Sequence, residues 1–341
     1  NNKILNYDMF KSIIRKFLLD RNTPHKIRER FTLIDNNELE ELRKSFLINH
    51  FTKDRGYDNN FLRTQYGAKA MEDALVNRLT TARDLIIPWI SSNINLHESK
   101  ILEIGCGSGA GTIALAEQAK FVLGLDIDLD IMKVAKDRCR IHGINNVEFH
   151  NSCEINISKN YGNEINVVIF YASLEHMLYK ERKAWIQKAW NMLPNNGYFI
   201  IIDSPNRLFY YDGHTTDLPF YNWLPDHLSF EYIKTRRNHF LNHSDIGISK
   251  SDLMKKGRGI SFHDLEIALS MPINEFKIID SLCKYDRKRK QLFHLLSSLN
   301  RLLKLRKQSL ESRYIKLMRE YQPDLHPGFL QSYINIIIQK N

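Results

Sequence analysis

A glycine-rich turn followed by an acidic residue is the strongest chemical pattern in the sequence. Gly105, Gly107 and Gly109 follow an apolar run, and Asp126 ends the next apolar run about twenty residues later. Glycine allows a sharp bend and close approach of a ligand, and a helix N-terminus offers N–H groups to an anion. A carboxylate at the position of Asp126 can accept hydrogen bonds from ribose hydroxyls. Together these residues predict a nucleotide-like cofactor site; the alternative is a glycine cluster without a ligand.

A second group of residues could handle protons. Glu175 and His176 follow the apolar run at 165–171, and His214 lies in a stretch rich in aromatic residues. An imidazole with an ordinary pKa of about 6.5 can act as a base at neutral pH. The alternatives are that His176 caps a helix or lines a pocket, that Glu175 binds substrate, orients His176 or caps the helix, and that the aromatic stretch is simply packed.

Alternating strand and helix patterns position both groups. Apolar runs predict strands at 100–104, 121–126, 147–150, 165–171, 198–202, 276–282 and 333–340. Helical patterns separate most of them, at 109–118, 131–142, a stretch ending near 193, and 261–270. Strands that are apolar throughout and alternate with helices are typical of a parallel sheet covered on both faces, so the fold class is α/β.

Segments outside this alternation are expected to be helical or irregular. Residues 1–95 carry helical spacing, including a helix from 68 to about 85 that Pro88 would end. Residues 205–256 show no clear period, which is typical of a lid or substrate loop. Ser261 and Asp264 resemble a capping box at the start of the next helix.

Composition excludes several classes of protein. The chain has 341 residues, of which 43% are hydrophobic and 26% charged, so it is neither disordered nor fibrous. Four widely spaced cysteines form neither a zinc pattern nor a disulfide framework, which favours a reducing compartment. The first residues show no signal-peptide pattern, and the longest apolar run, about ten residues, is too short to span a bilayer. A cytoplasmic location is expected, either free or peripheral at the inner membrane surface.

The positive charge is concentrated in one segment. Residues 284–319 hold twelve Lys and Arg against two acids, and this excess of ten equals the net charge of +10 for the whole chain. Leucines at helical spacing accompany the basic residues, so the segment is interpreted as an amphipathic helix packed on the domain. The alternatives are contact with an anionic membrane surface, a lipid-linked substrate or RNA.

The glycine turn resembles that of class I S-adenosylmethionine (SAM)-dependent methyltransferases. Their pattern places an acid, here Glu103, before Gly-x-Gly-x-Gly, whereas dinucleotide dehydrogenases use Gly-x-Gly-x-x-Gly. The resemblance implies SAM as cofactor, S-adenosylhomocysteine as product, and a site in which Asp126 binds the ribose hydroxyls and Ile127 flanks the adenine. The remaining residues that it assigns to the cofactor are Glu103, Gly105, Cys106, Gly107, Gly109, Cys153 and Tyr171. Cys153 replaces the family's usual acid, so adenine would be read through backbone groups or through Glu154.

The residues after the fourth strand resemble those of small-molecule methyltransferases. Leu174-Glu175-His176 is similar to the Leu-Glu-His of many members of the ubiquinone-biosynthesis type, in which this loop borders the transferred methyl group. Leu-Glu-His and the aromatic stretch around His214 together favour a small-molecule or glycan acceptor, methylated at oxygen. His176 is the first candidate for the base, and Glu175 and His214 are further candidate catalytic residues. No metal is expected, and nucleic acid is an unexpected partner because an Asn-Pro-Pro-Tyr type motif is absent. The alternatives are an RNA methyltransferase that uses the basic segment and a non-catalytic SAM-binding protein.

The resemblance also predicts the domain organisation. A seven-stranded Rossmann-like sheet is expected, with its last strand antiparallel and inserted between its neighbours. The expected segments are a helical cap at 1–95, a SAM-binding core at 96–204, a substrate lid at 205–257, a core helix and strand at 258–283, a basic helical insertion at 284–330 and a final strand at 331–341.

Overall fold

The computed structural model describes residues 34–51, 62–152, 157–161, 164–235, 257–282 and 310–341. Within these ranges, seven strands form one sheet in the order β3-β2-β1-β4-β5-β9-β8, and β6 and β7 form a separate hairpin. The strands are β1 Lys100–Ile104, β2 Phe121–Asp126, β3 Val147–Asn151, β4 Val167–Tyr171, β5 Tyr198–Pro205, β6 Tyr211–Asp212, β7 Leu218–Pro219, β8 Lys277–Ser281 and β9 Tyr333–Gln339. The predicted α/β fold is confirmed, including the antiparallel last strand between β5 and β8.

The chain divides into two compact units, Asn1–Val167 and Val168–Asn341. In the first unit, β1, β2 and β3 are parallel. Residues 101–104 of β1 and 122–125 of β2 are all buried, which explains why these strands are apolar along nearly their whole length. The helices of this unit are α1 Asn36–Phe46, α2 Gln65–Glu72, α3 Arg78–Thr81, α4 Ile87–Ser91, α5 Ala110–Ala116, α6 Leu129–Ile141 and α7 Ile157–Tyr161.

The helix expected to end at Pro88 continues beyond it. Segments α2, α3 and α4 are joined by π-helical turns at Asp73–Asn77 and Ala82–Ile86, so one helical stretch runs from 65 to 91. Pro88 lies in the first turn of α4, directly after a π turn, where a residue without an N–H is tolerated. The prediction of a helix end at Pro88 was therefore wrong.

In the second unit, β9 pairs antiparallel with both β5 and β8. Its helices are α8 Tyr179–Met192, α9 Asp226–Thr235, α10 Phe262–Leu269 and α11 Leu310–Tyr321. The stretch that lacked a clear period contains the β6–β7 hairpin, a 3₁₀ turn at Tyr221–Trp223 and α9. Two-residue strands are too short to produce a sequence period, so this pattern was not visible in the sequence.

Two further expectations concern the start of α10 and the basic segment. The Asp264 carboxylate accepts the Ser261 N–H at 2.8 Å, which confirms the predicted start of α10. Most of the basic segment, residues 283–309, lies outside the described residues; its last part belongs to α11. Among the described helices, none is both long and apolar enough to cross a membrane.

Candidate active site

The glycine turn connects β1 to α5 in a conformation that requires glycine. Gly105, Gly107 and Gly109 have φ values of 81°, 50° and 77°. Side chains other than glycine rarely adopt positive φ, so the turn depends on these residue types. A Cβ on Gly109 would lie 3.0 Å from the Cβ of Ala135 in α6, so this position also lacks space for a side chain. The predicted strand–turn–helix geometry is present.

Asp126 links the end of β2 to this turn. Its Oδ2 accepts the N–H of Gly107 at 2.8 Å, and its Oδ1 accepts the N–H of Asp128 at 3.0 Å. Burial raises the pKa of Asp126 above its ordinary value, while these two backbone hydrogen bonds oppose the increase. A carboxylate has about four lone-pair sites, so Asp126 keeps acceptor capacity for two ligand hydroxyls.

Glu103 ties the strand before the turn to the helix after it. Its side chain is buried, and its Oε2 accepts the hydroxyl of Thr112 at 2.5 Å. Burial raises the pKa of Glu103 to about 8, with the Thr112 hydrogen bond opposing and the nearby Asp126 adding to the increase. Glu103 is therefore mostly protonated at neutral pH and can donate a hydrogen bond.

Arg138 in α6 holds the turn against the helical stretch that precedes the sheet. Its Nε donates to the carbonyl of Ser108 at 3.0 Å, and its two terminal nitrogens donate to the carbonyls of Leu75 and Ala74 at 3.1 and 2.8 Å. Both carbonyls belong to a π-helical turn, whose altered register frees backbone acceptors. Arg138 is completely buried, and its guanidinium lies 5.4 Å from the ring centroid of Phe46.

The other residues assigned to the cofactor differ in their surroundings. Ile127 is 69% exposed, an unusual state for an apolar side chain at a strand end and one that leaves it open to a flat ligand. Cys106 is buried, and burial raises the pKa of its thiol, so it is a packing residue rather than a reactive one. Tyr171 ends β4 in the second unit. Cys153 and Glu154 lie outside the described residues.

The second unit brings together the three residues predicted to be catalytic. Ligand atoms of Glu175, His176 and His214 lie within 4.8 Å of one another. His176 Nε2 is 3.8 Å from Glu175 Oε1, and the two imidazole ring centroids are 5.5 Å apart. Glu175 is completely buried, whereas both histidines are exposed to solvent. The cluster thus has a buried carboxylate at its base and two accessible imidazoles.

Glu175 has an asymmetric environment. Its Oε2 accepts the hydroxyl of Ser204 at 3.0 Å, whereas its Oε1 has no hydrogen-bond partner in the part of the chain that the structure describes. Burial raises the pKa of Glu175 to about 7, while its own backbone N–H and the hydrogen bond from Ser204 oppose the increase. The carboxyl therefore has one fixed oxygen and one available oxygen.

His214 is fixed by the residues that follow it. Its Nδ1 lies 3.0 Å from the hydroxyl of Thr215, and that hydroxyl donates to the carbonyl of Gly257 at 2.6 Å. Because the hydroxyl proton is used on Gly257, the oxygen accepts from His214, which places the proton on Nδ1. Nε2 then carries the lone pair of the neutral ring. Partial desolvation and the neighbouring His176 lower the pKa of His214, which favours this neutral form.

A cavity of about 250 Å³ opens beside His214. The buried Asp212 carboxylate forms one wall and holds the turn by accepting the N–H and hydroxyl of Thr216 at 2.9 and 2.7 Å. Four of the other lining residues are Phe or Tyr. The lining residues are Pro205, Asn206, Phe209, Tyr210, Tyr211, Asp212, Gly213, His214, Asn222, Ser332 and Tyr333.

Several of these supporting residues were not found from the sequence. Arg138, Ser204 and Gly257 are distant in the chain from the residues they contact, so local patterns could not identify them. Thr112 was also missed, although it lies on the helix that the glycine turn opens, only nine residues from Glu103. The aromatic residues at 209–211 were recognised as part of a substrate loop, but the contribution of Tyr333 from the last strand was missed.

Comparison with known proteins gives the same assignment for the central part of the chain. Residues 96–256 match the family described as a methyltransferase domain. The ubiquinone biosynthesis O-methyltransferase of Methylococcus capsulatus is 29% identical over 105 residues, which cover 31% of this chain and 44% of that protein. A 23S rRNA (uracil-C5)-methyltransferase of Vesicomyosocius okutanii is 38% identical over 60 residues, which cover 17% of this chain and 14% of that protein.

One solved structure matches this chain at low identity. The magnesium protoporphyrin IX methyltransferase of Synechocystis, crystallised with S-adenosylhomocysteine, is 19% identical; the match covers 72% of this chain and 91% of that one, with a TM-score of 0.41. The chain spans less than half the length of the two curated relatives named above.

Proposed function

We propose that this chain is a class I SAM-dependent methyltransferase that transfers a methyl group from SAM to a hydroxyl of a small molecule or glycan; the match of residues 96–256 to a methyltransferase domain supports this proposal. The observation that carries the cofactor part is the hydrogen bond from the Gly107 N–H to the Asp126 carboxylate, which joins the glycine turn to the acid expected to bind ribose. Glu103, Gly105, Gly109 and Ile127 complete the proposed cofactor site.

The proposed reaction is an in-line displacement at the sulfonium of SAM. The methyl carbon–sulfur bond breaks, a carbon–oxygen bond to the acceptor forms, and sulfur keeps the electron pair as a thioether. An alcohol has a high pKa, so removal of its proton during transfer favours the reaction. Nε2 of His214 is our candidate for receiving this proton, because the Thr215 contact favours a lone pair there. His176 and Glu175 are the neighbouring groups that would hold the acceptor or stabilise the charged imidazole.

The cavity beside His214 is the proposed acceptor pocket. Its volume of about 250 Å³ suits one or two rings. Tyr210, Tyr211 and Tyr333 supply aromatic faces on which a phenol or sugar ring can stack, and Asp212 and Asn222 supply polar groups for its hydroxyls. This combination supports a small cyclic acceptor with hydroxyl groups over a polymeric one.

Transfer of labelled methyl from SAM to candidate acceptors tests the proposal. Phenols, sugars and total RNA would be assayed in parallel with the wild type and with His214→Ala. We expect label in a phenol or sugar, with kcat reduced at least about 100-fold by His214→Ala, the usual contribution of acid–base catalysis. Label in RNA alone would instead support the RNA methyltransferase alternative, and salt dependence of that activity would identify its basis. No transfer to any acceptor would contradict the proposal.

A further inference from the structure

We propose that Glu175, His176 and His214 form a binding site for a divalent transition-metal ion. Each residue offers one ligand atom, and the three atoms lie within 4.8 Å of one another. Metal–nitrogen and metal–oxygen bonds of about 2.1 Å allow two ligands to be at most about 4.2 Å apart. The separation of 3.8 Å between His176 Nε2 and Glu175 Oε1 already meets this limit. A separation of at most 4.8 Å exceeds this limit by no more than about 0.6 Å, so small movements of the exposed imidazoles would complete the site.

The second observation is the unused oxygen of Glu175. This side chain is completely buried, and within the described ranges its Oε1 accepts no hydrogen bond. A buried carboxylate oxygen without a partner is energetically costly, typically by about 1–3 kcal/mol or more for a charged group. The same oxygen is the one that faces His176. A bound cation would give this Oε1 atom a partner, at the place where the fold already holds it.

Hydrogen bonds with neighbouring residues orient two of the three proposed ligands, Glu175 and His214. Ser204 donates to Oε2 of Glu175 and leaves Oε1 for the metal. The Thr215 hydroxyl accepts from Nδ1 of His214 and leaves Nε2 unprotonated, as a metal ligand requires. A Cβ on Gly257 would lie 3.2 Å from both Glu175 Cγ and His214 Cε1, so only glycine can close this side of the cluster. Such support is typical of metal sites.

The surrounding charges also favour a cation. The negative charge of Asp203 acts on Glu175, and that of Asp212 acts on His214. Arg182 is the opposing charge, but its guanidinium is engaged at 2.9 Å by the Asp264 carboxylate. Two imidazoles and one carboxylate suit Zn²⁺, Mn²⁺, Fe²⁺ or Co²⁺, whereas Mg²⁺ and Ca²⁺ prefer oxygen ligands only.

Three protein ligands leave coordination positions open, and His214 also lines the 250 Å³ cavity. A hydroxyl that binds the ion there would have a lower pKa and become a better methyl acceptor. This role rests on the proposed methyl transfer, and in it His214 would be a metal ligand in place of the proton acceptor suggested above. Binding of the ion itself does not depend on the proposed function.

Titration with Co²⁺ tests the site directly, because the visible absorption of the bound ion depends on the number and type of its ligands. Chelator-treated protein would be titrated as wild type, Glu175→Gln, His214→Ala and His214→Gln. His150→Ala is the matched control, because His150 also lies beside a carboxylate, with Nε2 3.4 Å from Glu148 Oε2. We expect one Co²⁺ per chain, binding at least tenfold weaker in the first three variants, and no change in the control. Circular dichroism and S-adenosylhomocysteine binding would confirm that each variant is folded.

Absence of Co²⁺ binding, or binding that is unchanged in folded His214→Ala and His214→Gln, would overturn the site. Methyl transfer with and without chelator separates this failure from that of the proposed function. Methyl transfer that continues in the presence of chelator, in a protein that does not bind Co²⁺, would overturn the metal site. It would leave His214 as the candidate proton acceptor. Stoichiometric Co²⁺ binding without transfer to any acceptor would support the site and contradict the proposed function.

Discussion

The Gly107 N–H and the Asp126 carboxylate form a 2.8 Å hydrogen bond that joins the residues following β1 to the end of β2. This contact holds the glycine turn in place and aligns an acid beside it. Since both residues also belong to the proposed cofactor site, the same bond contributes to folding and to ligand recognition.

The first prediction concerns Gly109→Ala, compared with Gly143→Ala. Both glycines have positive φ, at 77° and 64°, but a Cβ at Gly109 would meet Ala135 at 3.0 Å, whereas a Cβ at Gly143 would have nothing within 4 Å. We expect Gly143→Ala to reduce the free energy of unfolding by about 1–2 kcal/mol through backbone strain. Gly109→Ala should cost about 1 kcal/mol more through overpacking.

Urea unfolding and S-adenosylhomocysteine titration check this comparison. Cofactor affinity should fall in Gly109→Ala and stay unchanged in Gly143→Ala. Equal losses of stability and affinity in both variants would show that the packing against Ala135 does not matter.

Glu103→Gln should change the pH dependence of stability. The pKa of Glu103 is raised from 4.5 to about 8 in the folded chain, so the folded state holds the proton more tightly than the unfolded state. This group therefore lowers the free energy of unfolding as pH rises from about 4.5 to about 8, by on the order of 4 kcal/mol. Glutamine cannot ionise, but it can still accept a hydrogen bond from the Thr112 hydroxyl. In the variant, the free energy of unfolding should therefore no longer show this decrease with pH.

Urea midpoints measured from pH 5 to 9 would detect the change. The exposed Glu98→Gln is the control and should keep the wild-type slope. A slope in Glu103→Gln equal to that of the wild type would mean that Glu103 ionises normally in the folded state.

Arg138→Leu should be strongly destabilising. The substitution removes hydrogen bonds to the carbonyls of Ser108, Leu75 and Ala74 and leaves these acceptors without their partner. We expect a loss of at least about 3 kcal/mol in the free energy of unfolding. The control is Arg140→Leu on the same helix, because Arg140 is 57% exposed and its pairs with Glu41 and Asp137 lie at the surface.

Chemical unfolding of both variants tests this contrast. Surface ion pairs typically contribute about 0–1 kcal/mol, so the control should remain close to the wild type. Similar stabilities for the two variants would contradict the anchoring role of Arg138.

Local sequence patterns predicted the elements and residue types that depend on near neighbours. The positive φ values of Gly105, Gly107 and Gly109 follow from the strand–turn–helix spacing, and the start of α10 follows from Ser261 and Asp264. These features arise within a few residues, where sequence and conformation are directly coupled. The number of strands and the antiparallel last strand between its neighbours came from the family resemblance and agree with the structure.

Residues that act through long-range contacts could not be predicted in this way. Ser204 reaches Glu175 across 29 positions, and Arg138 reaches Ala74 across 64. Nothing in the neighbourhood of either residue in the chain indicates its partner. The same holds for the continuation of the helix through Pro88, which depends on a π turn that no sequence period reveals.

Calorimetric titration with S-adenosylhomocysteine tests the central claim most directly. Wild type, Asp126→Ala and the control Asp130→Ala would be compared; Asp130 lies nearby, but its described ionic partner is Lys133. Binding by the wild type and Asp130→Ala, with affinity reduced at least about 100-fold in folded Asp126→Ala, is the result that the proposed cofactor site predicts. Absence of binding by the wild type, or equal binding by all three proteins, would contradict it.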